Sequence, residues 1–222
     1  MTKSTHVLLV EGRSDEAFFS EFCKSLKLTP KVQIAPPKSV GGNANNKEGV
    51  FNHIPLLLNQ FADGRIERLA TVIDADHAVN HGLGYQATVN RFTAIVLPFG
   101  FRLKNPLRKV NGGLMYESSE GFPDLGLWVM PGTLSDGMLE HWVKNCVTPS
   151  DQQLLKTASE AVAKLVNPKF MPIHSIKAEV ATWLAWQKAP GRGMESAITE
   201  TLLDTNSAQY KLLADWLRTV FL

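Results

Sequence analysis

Acidic residues stand where two short apolar runs stop. Glu11 directly follows Val7-Leu8-Leu9-Val10, and Asp74 and Asp76 close the run Leu69-Ala70-Thr71-Val72-Ile73. Asp15 adds a carboxylate shortly after Glu11, and Asp136 and Glu140 add two more beyond the apolar run 125–130. Two carboxylates about 4 Å apart repel by roughly 4 kcal/mol at an effective dielectric of about 20, so such a group needs a neutralising cation. Its oxygen donors suit Mg²⁺ or Mn²⁺, whereas Zn²⁺ usually takes His or Cys. His77 is the one imidazole directly beside the pair Asp74 and Asp76 in sequence. If the chain stays extended, Asp74 and Asp76 project to the same side and a single cation takes both. Plainer roles compete for some of these residues. Asp15 and Asp136 suit helix N-termini, where capping and the macrodipole are worth about 0.3–2 kcal/mol each, and Glu140 in an early helical turn could be dipole-complementary or solvated. Glu11 has the weakest plain explanation, because a strand-to-helix turn has no need of Glu before Gly, and Gly12 lets backbone approach a ligand closely.

The elements that would hold these acids follow from the apolar periodicity. Residues 6–10 read as a strand buried on both faces. Ser14 can cap a helix carrying Phe18, Phe19, Phe22, Cys23 and Leu26 on one side. A second cycle has a strand over 31–35, the loop Gly41-Gly42-Asn43-Ala44-Asn45-Asn46, and a helix carrying Val50, Phe51, Ile54, Leu57, Leu58 and Phe61, with Pro55 as its weak point. The third has a strand over 69–73, the turn Asp74-Ala75-Asp76 and a helix between Leu83 and Val96. Three βα units in succession imply a parallel sheet. Residues 97–123 are less regular, with a strand over 113–116 placed at the sheet edge. A last core strand over 125–130 stops at Pro131 and leads into a helix with Met138, Leu139, Trp142 and Val143 on one face. Amphipathic helices over 150–166, 176–188 and 207–221 complete the chain. The expected fold is α/β, a mainly parallel sheet of about four to five strands flanked by helices. Its core spans 1–148, and 149–222 form a helical C-terminal extension packed on it.

Composition narrows the class. The 222 residues are 44% hydrophobic and 20% charged with a mean hydropathy of −0.07, which is that of a folded globular chain. A net charge of +2 implies no nucleic-acid binding by itself. Cys23 and Cys146 lie far apart in apolar helical patterns and read as buried free thiols. The run 7–10 is too short for a signal peptide and no stretch reaches membrane-spanning length, so a cytoplasmic location is expected. Walker and dinucleotide-binding loops are absent, since Gly82-Leu83-Gly84 lacks a third glycine and a preceding strand. Trp142, Trp183, Trp186 and Trp216 fall at apolar helical positions and read as core rather than as base-stacking platforms. Arg102, Lys104, Arg108 and Lys109 are the best phosphate-contact candidates, weighed against a solvated loop.

Two of these segments resemble the Toprim domain of topoisomerases, bacterial primases and overcoming-lysogenization-defect nucleases. Val7-Leu8-Leu9-Val10-Glu11-Gly12-Arg13-Ser14-Asp15 looks like that family's strand-ending Glu-Gly motif, and Thr71-Val72-Ile73-Asp74-Ala75-Asp76 looks like its Asp-x-Asp motif. The likeness covers residues 4–147. It implies that Glu11 acts as a general acid or base and that Asp74 and Asp76 hold Mg²⁺. The separation of Glu11 and Asp15 resembles the nuclease branch, where further acids and a late lysine complete a two-metal site. That makes Asp15, Asp136 and Glu140 metal-ligand candidates and Lys177 a catalytic candidate. The segment 130–140 also looks like a small group of standalone Toprim-related proteins. The ATPase, tyrosine and zinc-binding domains that accompany larger Toprim proteins are missing from this sequence, which argues against a topoisomerase or replicative primase.

The leading functional expectation is therefore Mg²⁺- or Mn²⁺-dependent phosphodiester cleavage of DNA or RNA. Alternatives are a non-catalytic metal- or nucleic-acid-binding regulatory component and primase-like nucleotidyl transfer with the same acids. Nucleic acid is the expected partner, a protein partner or second copy a further one, and a membrane is not.

Overall fold

The structure, a computed structural model, describes residues 5–36, 46–77, 82–104, 113–132 and 135–222. Among these the chain forms β1 (Thr5–Val10), α1 (Arg13–Ser25), β2 (Lys31–Ile34), α2 (Lys47–Ala62), β3 (Ile66–Asp74) and α3 (Gly84–Val96). Then follow β4 (Phe101–Leu103), β5 (Leu114–Ser118), β6 (Leu125–Met130) and α4 (Leu139–Cys146). The chain ends with α5 (Gln152–Ala163), α6 (Ser175–Ala185), α7 (Ser196–Thr199) and α8 (Ala208–Phe221). No helix among the described residues is long and apolar enough to cross a membrane.

The strands make one six-stranded sheet in the order β2-β1-β3-β6-β5-β4, against the expected four to five. The first four run parallel, while β5 is antiparallel to β6 and β4 antiparallel to β5. The expected strand over 113–116 forms as β5, but it lies inside the sheet. The edge belongs to β4, whose three residues carry too little pattern to register as a strand. From β1 the chain steps to β2 on one side and then crosses to β3 on the other. The order thus reverses between β1 and β3, and helices on opposite faces leave a crevice beyond their carboxyl ends.

Period-two alternation divides the core into two layers. Val7, Leu9, Leu69, Ile73, Leu127 and Val129 pack with α2 and α3 on one face. Leu8, Val10, Ala70, Val72, Trp128 and Met130 pack on the other with α1, α4 and α8. That second cluster continues without a break into Leu155 and Ala158 of α5 and Val180, Trp183 and Leu184 of α6. Cys23 and Cys146 are buried free thiols within it. Trp142, Trp183 and Trp216 are fully buried, but Trp186 is 44% exposed. The reason is that α6 stops at Ala185, short of the expected 188.

Ser14 does not cap α1. Gly12 is the N-cap, and Asp15 reaches back to accept the Gly12 N–H over 2.9 Å. Pro55 lies inside α2 without ending it, and Asn46 caps that helix by accepting from Gly49 N–H over 3.0 Å. Residues 41–45 of the glycine-rich loop lie outside the described residues.

Helix α8 is fitted to the sheet through an absent side chain. A Cβ on Gly126 of β6 would lie 2.8 Å from Val220 Cγ2, 2.9 Å from Trp216 Cζ2 and 3.1 Å from Ala70 Cβ. Gly126→Val must therefore push α8 away from the sheet, at about 1–3 kcal/mol. In urea titrations of the full chain it should lower the unfolding midpoint, and an unchanged midpoint would show that α8 does not pack there in solution.

Candidate active site at the strand ends

Glu11 leaves β1 and Asp74 ends β3, so the two adjacent strands deliver both acids to the crevice where the strand order reverses. Backbone hydrogen bonds brace them. Asp74 N–H donates to Glu11 Oε1 over 2.7 Å, and Leu139 N–H, at the start of α4, donates to Asp74 Oδ1 over 3.0 Å. Asp74 thus takes a helix N-terminus as a partner, where the macrodipole favours negative charge. A tight cavity between these acids is walled by Phe19, Val72, Met130 and Leu139, with Asp15 also facing it.

Burial dominates the electrostatics. It pushes Glu11 up to about 7, even though Lys47 and the Asp74 N–H pull the other way. Burial, then repulsion from Glu11, Asp15 and Glu140, raises Asp74 well above the usual carboxylate range, with Lys177 in opposition. Asp15 is raised too, again first by burial, against the Gly12 N–H and Lys177. Glu140 comes from α4 and is only 9% exposed. Its Oε1 accepts from Lys177 Nζ of α6 over 2.7 Å, while its buried Oε2 has no hydrogen-bond partner. Burial pulls Lys177 down, but Glu140, with Asp74 and Asp15 behind it, raises it overall. The structure therefore links Glu11, Asp15, Asp74, Glu140 and Lys177 electrostatically.

Asp76 and Asp136 are placed differently. The extended turn expected after Asp74 does not form, since Asp76 adopts φ 60° and makes an isolated antiparallel bridge with Gly137. Its Oδ2 accepts from Lys47 Nζ over 2.6 Å, and Lys47 also donates to Ala75 O over 3.1 Å. Asp136 accepts from Tyr85 N–H over 2.9 Å, on the first turn of α3. It caps that helix rather than the one that follows it in sequence. Of the basic candidates, Lys104 pairs with Asp124, just before the first residue of β6, which puts it at the end of the sheet away from Glu11. Arg102 is exposed on β4, and Arg108 and Lys109 lie outside the described residues.

Two residues of the site escape a reading of sequence alone. Lys47 opens α2, where a cation opposes the helix dipole; that mismatch was the available signal. His141 joins His77 as a second imidazole, with ring centroids 5.5 Å apart, and burial followed by His77 lowers its pKa. It occupies the third position of α4, where Glu or Gln usually turns back to the N-cap.

The chemistry of the donors fits a hard divalent cation. They are carboxylate oxygens, of which Glu11, Asp15 and Asp74 have their pKa values raised first by burial, and one buried oxygen, Glu140 Oε2, has no hydrogen-bond partner. Among the described residues, however, no three His, Cys, Asp or Glu side chains stand together as a ready ligand set. Lysine nitrogens hold Asp76 and Glu140 instead, so side chains must shift to ligate.

Raised carboxylates give a definite pH dependence. Glu11 binds its proton more tightly when folded, so its contribution is fully present below its unfolded pKa of about 4.5 and is lost as pH rises through about 7. Metal-free stability should fall across that window, and Glu11→Gln should flatten the fall in chemical denaturation at stepped pH. The paired aspartates should part company. At neutral pH Asp74→Asn should raise the metal-free melting temperature, each pKa unit relieved being worth about 1.4 kcal/mol. Asp76→Asn should lower it by about 1–3 kcal/mol, because Lys47 is left buried without its counterion. Asp215→Asn, at an exposed pair with Arg218, should match wild type. A shared direction for Asp74→Asn and Asp76→Asn would contradict this division.

No curated protein and no solved structure matches the chain. The model of a family described as a protein of unknown function, DUF3226, matches residues 5–222. That span takes in the whole sheet, every acid described above and the helices that support them, and the chain belongs to the DUF3226 family.

Proposed function

We propose that the protein is a cytoplasmic Mg²⁺- or Mn²⁺-dependent phosphodiesterase that cleaves nucleic acid at a Toprim-like site. The observation that carries this reading is the burial of Glu11 and Asp74 side by side where the strand order reverses, with the unpartnered Glu140 Oε2 in the same cluster. Buried carboxylates that repel one another cost stability beyond what their backbone hydrogen bonds return, which is the pattern expected of functional acids. The adjacency of β1 and β3 supports the Toprim likeness, because it brings the motif glutamate and the first motif aspartate together.

In this reading Glu11, Asp74 and Glu140 hold the cation, with Asp15 beside them. Asp76 can join once Lys47 releases it. A bound Mg²⁺ or Mn²⁺ supplies an activated water and stabilises the leaving oxygen. Glu11, buried beside Asp74 at the strand ends, is the group proposed to exchange a proton with the reacting group. Lys177 spends one ammonium proton on Glu140 and keeps two for phosphate oxygens. Asp136 holds the start of α3 and stands outside the ligand set.

A regulatory, non-catalytic role is the second reading. It is favoured by the two lysines, which already neutralise Asp76 and Glu140 within the chain. The purified chain should cleave labelled single- or double-stranded DNA or RNA with Mg²⁺ or Mn²⁺, and Glu11→Gln should slow cleavage by about a hundredfold or more. Cation binding should also stabilise the fold by about 2.7 kcal/mol at a hundredfold excess over Kd, read as a higher melting temperature, and Asp74→Asn should abolish the rise. Equal activity in wild type and variants would eliminate the catalytic reading. Incorporation of labelled nucleotide without cleavage would redirect it to nucleotidyl transfer.

A further inference from the structure

A second cavity, of about 270 Å³, is lined by His77, His141, Pro172, Ile173, Ser175 and Ile176. His77 follows Asp76 and His141 follows Glu140, so the imidazole wall continues directly from the acidic cluster. The rings stand nearly at right angles, at 71°. The opposite wall comes from the turn that enters α6.

One hydrogen bond fixes the chemistry of the first wall. Met138 N–H donates to His141 Nδ1 over 3.2 Å. A nitrogen that accepts a hydrogen bond carries no proton, so the proton of the neutral ring is assigned to Nε2. That leaves Nε2 as a donor without the lone pair a metal would need, and it is matched to an oxygen acceptor. Ser175 adds a hydroxyl. It begins α6 directly after a 3-10 turn over Pro172–His174, whose Pro172 carbonyl takes the Ser175 N–H, so the hydroxyl is the donor it offers. Pro172, Ile173 and Ile176 supply apolar surface for the rest of a ligand. The cavity thus asks for an anionic oxygen group joined to an apolar or planar body. Its size lies near the lower limit of small-ligand pockets, about 300 Å³, which suits one nucleotide and excludes a duplex.

We propose that this cavity is a subsite for a single nucleotide flanking the scissile bond. His141 Nε2–H and Ser175 Oγ–H donate to its phosphate, and its sugar and base pack on Pro172, Ile173 and Ile176. The assignment rests on the phosphodiesterase reading for its place in the reaction. Binding itself needs only donors from the chain and no metal.

The test is titration of the full chain with AMP in EDTA, followed by ¹⁵N signals of the imidazoles. Free protein should show the His141 Nε2–H tautomer. AMP should shift both His77 and His141 to saturation, and adenosine should do so far more weakly. His141→Gln keeps an acceptor for Met138 N–H and should weaken AMP binding about ten- to a hundredfold. Ile173→Glu, at a half-buried position, should weaken it as much by opposing the phosphate, whereas Asp215→Asn should bind as wild type. Unperturbed imidazoles, equal binding of adenosine, or wild-type affinity in Ile173→Glu would overturn the subsite. Cleavage that persists while AMP fails to bind would overturn the subsite alone. AMP binding without metal-dependent cleavage would support the subsite and overturn the phosphodiesterase reading.

Discussion

Taking carboxylates out of water is the constraint on which this structure turns. An isolated buried carboxylate is too costly to remain charged, so it must gain a proton, a counterion or donated hydrogen bonds. Each buried acid here takes a different combination. Glu11 takes the Asp74 N–H, Asp74 takes the Leu139 N–H and Asp15 takes the Gly12 N–H, all three shifting toward protonation, and Glu140 takes Lys177. These solutions need donors from the start of α1, the end of β3, α4 and α6 held in fixed positions, which a rigid sheet provides.

The crossover between β1 and β3 makes the arrangement available. Because α1 leaves β1 toward one face and α3 leaves β3 toward the other, the carboxyl ends of these strands are not roofed by their own helices, and two strand-end acids can meet there. Helix α4 then supplies the N–H for Asp74 and the side chains of Glu140 and His141 from one turn. Helix α6 supplies Lys177 on one side and the Ser175 wall on the other. The C-terminal helices are therefore part of the same hydrophobic cluster as the sheet and part of the charge balance of the site.

Glu11 and Asp74 were legible because an acid that stops a fully apolar strand leaves a sharp mark in sequence. Strands β1 and β6 and the inner part of β3 were legible for the same reason, as mostly apolar runs, whereas β2, at the sheet edge, alternates Lys31, Val32, Gln33 and Ile34. What escaped depended on geometry that no periodicity encodes. The expected pairing of Asp74 with Asp76 assumed an extended backbone, and the left-handed conformation of Asp76 turns it toward Lys47 instead. Asp136 looked like the cap of its own helix and serves α3, a contact across 51 residues of chain. Strand β4 was too short to show alternation, and Trp186 fell just past the last turn of α6. Lys177 was named by position alone. Its contact with Glu140 needs the packing of α4 against α6, which only the folded chain specifies.

The two lysines explain how such a site can fold without a cation. Lys47 neutralises Asp76 from within, its side chain only 12% exposed, and pulls Glu11 down. Lys177 neutralises Glu140 from the surface and opposes the rise of Asp74. The charge that remains uncompensated belongs to Glu11, Asp74 and Asp15, the three acids with raised pKa values, and protons meet that need as pH falls. A cation entering this site must displace those protons, whereas at Asp76 and Glu140 it competes with ammonium groups. Affinity would then rise with pH through the range in which Glu11 ionises, and the lysines would set how far the side chains must move before the cation is held.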